Sequence, residues 1–127
     1  MKSATLKSQR AFAAAVVAAL GLSGAIGAAR ADAVTDWNAT AAALPIAVPP
    51  VHARVMAAMH GAVHDAINSI EPQHETYRFP VEAPAGASKD AAVATAAHGV
   101  LTALVPSQKA ALDTALAHSL AKIGDER

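Results

Sequence analysis

The chain contains no cysteine, so disulfides, thiolate chemistry and cysteine-ligated metals are all excluded. Aromatic residues make up only 3% of it, with one tryptophan, one tyrosine and two phenylalanines, so few large rings are available to fix a core. No cluster of basic residues follows Arg54. There is no Gly-x-Ser-x-Gly, which removes the nucleophile elbow of an α/β-hydrolase, and no His-Glu-x-x-His, which removes the common zinc-protease helix. No internal repeat of 20 to 50 residues is visible, and 127 residues leave room for one small domain.

What is abundant is alanine, a strong helix former that lets helices approach closely but buries little area per residue. Residues 1–31 read as a bacterial signal peptide. Lys2, Lys7 and Arg10 form a basic front, Ala11 to Ala28 is uncharged, and Ala29-Arg30-Ala31 fits a small-x-small cleavage site before Asp32. Gly21, Ser23, Gly24 and Gly27 weaken the alternative of a membrane anchor. Those glycines lie within the export segment and carry no phosphate-binding role. Removing Lys2, Lys7, Arg10 and Arg30 leaves six basic against ten acidic side chains, a net charge of −4 with neutral histidines. A nucleic-acid partner is therefore not expected, nor a membrane after cleavage, and the location expected is secreted or periplasmic.

The remainder, 32–127, reads as all-α: a small bundle of about four helices. A short helix is expected within Asp32 to Leu44, with Asp36 as its cap and Trp37 as a packing anchor. Pro45 to Pro50 reads as an extended connector. The central helix follows over Ala53 to Ile70. At about 100° per residue, Val51, Val55, Met56, Met59, Ala62, Val63, Ala66, Ile67 and Ile70 share a wide apolar arc. Arg54, His60, His64, Asp65 and Asn68 fall opposite. Pro72 to Gly86 reads as an ordered extended loop laid over the helices, with Tyr77, Phe79 and Val81 alternating. Ser88 should cap a helix running to about Leu104. Pro106 and Ser107 break it, and Leu112, Leu116, Leu120 and Ile123 line the next, which ends near Gly124. The pair should form an antiparallel hairpin.

Chemistry is sparse. His60 and His64 are four apart, a spacing that points two rings off one helical face and suits zinc, but no third ligand is evident. The other reading is a polar face covered by another part of the protein. His98 and His118 are placed to meet across the hairpin. Glu71, Glu75 and Glu82 have no apolar surroundings that would raise a carboxyl pKa for acid–base work. No catalytic, cofactor-binding or metal-binding residue is assigned.

Several stretches together resemble a known group. Trp37-Asn38 is followed by the proline-rich connector and then by Met59-His60-Gly61-Ala62-Val63-His64-Asp65-Ala66-Ile67-Asn68-Ser69-Ile70. After these come Pro84-Ala85-Gly86-Ala87-Ser88, and then Pro106-Ser107-Gln108 at the start of a leucine-rich helix. From about Asp36 to Gly124 the chain resembles the N-terminal part of bacterial secreted proteins related to vanadium-dependent haloperoxidases, of the type 2 phosphatidic acid phosphatase superfamily. His64 stands where that resemblance implies an aromatic residue. It also implies an oxyanion site for vanadate or phosphate, built from Lys-x-x-x-x-x-x-Arg-Pro, Pro-Ser-Gly-His and Ser-Arg-x-x-x-x-x-His. None of these occurs here, so no catalytic residue carries over. The expectation is a truncated N-terminal part of a larger helical fold, non-catalytic and without cofactor by itself. Its partner would be the rest of that domain or another subunit. The alternatives are an independent exported helical protein that binds a partner through His60, His64 and Asn68, and a small periplasmic metal binder using His60 and His64.

Overall fold

The computed structural model describes residues 32–78 and 80–125. The proposed signal peptide and Phe79 lie outside the described residues. Four α-helices follow one another, with no strand among the described residues: α1 (Ala33–Ala42), α2 (Pro49–Ile70), α3 (Lys89–Leu104) and α4 (Lys109–Asp125). A 3-10 turn, Pro106–Gln108, leads into α4. The all-helical bundle expected from the sequence is the one observed.

The helix ends are set by local chemistry. Asp32, rather than Asp36, caps α1: its backbone is extended and its Oδ1 accepts from Thr35 N–H at 2.8 Å. That bond holds the Asp32 carboxyl below its ordinary pKa. Asp36 lies one turn inside the helix and pairs instead with Lys122 of α4 at 3.3 Å. The extended connector stops at Val48, because Pro49 and Pro50 are themselves helical. A proline in the first turn loses no hydrogen bond, and its fixed φ already suits a helix. The 22 residues of α2 make a rod of about 33 Å. Glu71, held extended by the following Pro72, ends it. Ser88 Oγ accepts from Ala91 N–H at 3.3 Å and opens α3 as expected. Gly124 does not terminate α4, which continues to Asp125; among the described residues the only positive-φ glycine is Gly86 at 79°. Gly86 occupies the third position of a turn closed by Ala87 N–H to Pro84 O at 3.1 Å, where a left-handed backbone is required.

Helix α3 lies at the centre and packs against the other three. Ala94 and Ala97 are fully buried on it, which lets α1 and α2 approach closely. Trp37 of α1, 1% exposed, is the largest core side chain and meets Met59, Val93, Leu101 and Leu112 in one cluster. Its ring stands edge-on to His98, centroids 6.5 Å apart. Its buried indole N–H has no acceptor among the described residues. The α3–α4 hairpin is closed on the solvent side by Asp113, not by a meeting of His98 with His118. His98 Nε2 donates to Asp113 Oδ1 at 2.8 Å, and Lys109 Nζ donates to Oδ2 at 2.6 Å.

Candidate functional site

The polar side of α2 is largely used internally. Asn68, on the polar side of the wheel, is 6% exposed. Its Oδ1 accepts from Gln73 N–H at 2.9 Å and His74 N–H at 3.0 Å, and its Nδ2 donates to the His74 carbonyl. One turn earlier, Asp65 accepts from Tyr77 N–H at 2.7 Å and Arg78 N–H at 3.0 Å. The Ser69 carbonyl accepts from Ala83 N–H at 2.9 Å. Positions 65, 68 and 69 share one helical face, so they stitch the loop along α2. This is the covered polar face and overlaid loop expected from the sequence. It withdraws Asn68 from any surface offered to a partner.

The histidines mostly join elements. His52 Nε2 donates to the Ala41 carbonyl at 2.9 Å, and His60 Nε2 lies 3.0 Å from Asn38 Oδ1. Both link α1 to α2. His64 Nδ1 is 3.3 Å from Asp65 Oδ1, and its ring lies between His74, stacked at 6.0 Å, and Tyr77, edge-on at 5.1 Å. The structure therefore turns His60 toward α1 and His64 toward the loop. Among the described residues no group of three or more His, Asp or Glu is placed to hold a metal.

Beside this stitched loop lies an open trough of about 1050 Å³. Its floor is the outer side of α2: Ala57, Ala58, Gly61, Ala62 and Ala66. Tyr77 and Val81 form one wall, 79% and 62% exposed, and Val100 of α3 contributes to the other. His60, His64, Asp65 and Arg78 supply polar groups to its lining. Ala62 and Ala66, assigned to the core-facing arc, thus face the trough, and Val51 at the helix start is 46% exposed. The core takes Val55, Met59 and Val63, spaced by four. Helix α2 is consequently apolar on two sides, one buried and one open. No described helix is long and apolar enough to cross a membrane. Neither a protein-family model, nor a curated protein, nor a solved structure matches this chain.

Proposed function

We propose that this helical unit is a non-catalytic packing element of a secreted haloperoxidase-like or acid-phosphatase-like protein, the N-terminal layer of a larger helical domain. The observation that carries this reading is the trough on α2. An alanine- and glycine-floored helix face allows a second helix to approach to about 8–10 Å between axes. The walls contributed by Tyr77 and Val81 would otherwise leave large apolar side chains in water, an arrangement that marks an interaction surface. The motif resemblance supplies the identity of the covering protein: the remainder of the domain, which would carry the vanadate- or phosphate-binding residues. A trianionic oxyanion requires several fixed cations and backbone donors. The sequence motifs that would provide them are absent from this chain.

Purified mature chain, supplied with vanadate, bromide and peroxide, should show no halide oxidation, and it should not hydrolyse phosphate esters. Turnover in either assay would overturn the proposal. An apolar-sensing dye should bind the mature chain, and Ala58→Glu, placing a carboxylate in the trough, should abolish that binding without unfolding the helices. Dye binding that ignores this change would place the exposed apolar surface elsewhere.

A further inference from the structure

The open side of α2 has two unlike ends. At about 100° per residue, Val51, Arg54, Ala58, Gly61, Ala62 and Asp65 fall within a single arc of about 100°. This arc is the trough floor, continued toward the helix start. Small residues occupy its middle. Arg54 and Asp65 stand on either side of them, about 16 Å apart along the axis. Arg54 is exposed, and among the described residues it takes part in no hydrogen bond or ion pair. Tyr77 and Val81 rise only beside the C-terminal half, because the loop is stitched there to Asp65 and Ser69. Beside the N-terminal half the exposed apolar side chain is Val51, on the helix itself.

A surface of this kind is its own complement under a two-fold rotation. An axis passing between the levels of Ala58 and Gly61 sets a second α2 antiparallel on the first. It places Ala58 against Gly61 of the second copy, Arg54 against its Asp65, and Val51 beside its Tyr77 and Val81. A parallel alignment would instead set Arg54 on Arg54 and Asp65 on Asp65, and like charges in contact are unfavourable. Asp65 keeps its negative charge while it accepts from Tyr77 N–H and Arg78 N–H, so it attracts a cation without releasing the loop. We propose that the open face of α2 is a self-complementary docking surface, occupied by a second copy of this chain as an antiparallel α2 pair. The inference rests on the trough and its charges rather than on the haloperoxidase resemblance; a covering domain and a second copy compete for the same face. A helix face about 33 Å long and 10 Å wide gives roughly 300 Å² per copy, well below the roughly 800 Å² of a standard interface. The pairing is therefore weak: the chain is monomeric at about 10 μM and paired near about 1 mM.

The test is sedimentation equilibrium of the chain as its host produces it, from about 10 μM to about 1 mM, which should show monomers giving way to dimers and to nothing larger. Arg54→Glu alters an exposed helix position and should weaken the pairing by about tenfold, since the two-fold repeats the lost attraction twice. The chain has no cysteine, so single introduced thiols report the register. Under mild oxidation at about 1 mM, Ala58→Cys should yield a covalent dimer, because the two-fold brings position 58 of both copies close together. Val51→Cys should not, because the same axis leaves its two copies about 25 Å apart, far beyond the reach of a disulfide. Both positions are exposed on the helix, and far-UV dichroism should match the parent in each variant. A chain that stays monomeric at about 1 mM, an Arg54→Glu variant that pairs as well as the parent, or Val51→Cys cross-linking as fast as Ala58→Cys would each overturn the proposal.

Discussion

Gly61 sits in the middle of α2, where glycine is a poor choice for helix stability. Its backbone is not left-handed, and a Cβ built there meets no atom within 4 Å. In the free chain Gly61→Ala should therefore gain helix propensity with no steric cost, about 1 kcal/mol. Gly99, midway along α3 and exposed, is the matched control: its added Cβ also meets open space, so Gly99→Ala should gain a similar amount. The two variants should diverge once the trough is filled. An opposing helix that approaches the floor at Gly61 would meet the new methyl group, whereas Gly99 lies outside the trough lining. Urea unfolding of the mature chain, followed by far-UV dichroism, measures the first part: both midpoints should rise with unchanged slope. Sedimentation of the same samples shows whether copies associate. If Gly61→Ala lowered stability while Gly99→Ala raised it, the space above Gly61 would already be occupied in the chain as isolated, and the open-trough argument would fail.

Asn68→Ala removes three hydrogen bonds to the loop backbone; at about 0.5–1.5 kcal/mol each it should cost roughly 2–4 kcal/mol. Denaturant titration and faster amide exchange at Gln73 and His74 would show it, and an unperturbed loop would refute the clamp. Trp37→Ala should cost about 3–5 kcal/mol through loss of the largest core side chain. Trp37→Phe should cost far less, because it also deletes the buried indole N–H that has no acceptor among the described residues; equal losses in thermal melts would contradict this. Asp113 is held below its ordinary pKa of 3.8, first by the hydrogen bond from Lys109 and then by that from His98. A carboxyl with a depressed folded pKa contributes stability above its unfolded pKa and loses it as pH falls through the folded value. The contribution should therefore begin to fall as the pH drops below about 4 and be lost as it passes the lower folded value, and Asp113→Asn should flatten that part of the acid unfolding curve; an identical curve would exclude the tie.

Much of the architecture was legible because its signals are local. Prolines at 49, 50, 72 and 106 and a serine at 88 mark helix boundaries whatever the tertiary surroundings, and the Val55-Met59-Val63 spacing identifies the core face. The errors arose where local chemistry permits two outcomes. Alanine suits a core or a surface equally, so Ala62 and Ala66 could not be assigned by periodicity. Asp32 and Asp36 both resemble caps; the extended backbone at Asp32 decides between them. Asn68 lies on the polar side of a helical wheel, which carries no information about a loop returning over it. The His64–His74 juxtaposition depends on that same return and has no periodic signature. The contact of Asp113 with His98, which closes the hairpin, joins residues fifteen apart in sequence and has no local signature.

The proposed haloperoxidase-like reading requires further helical protein against the open face of α2. The coding DNA downstream of Arg127 tests this most directly. On that proposal a continuation is expected, in frame or displaced by a frameshift, encoding more amphipathic helices and a Pro-Ser-Gly-His motif. Downstream DNA that encodes neither would contradict it.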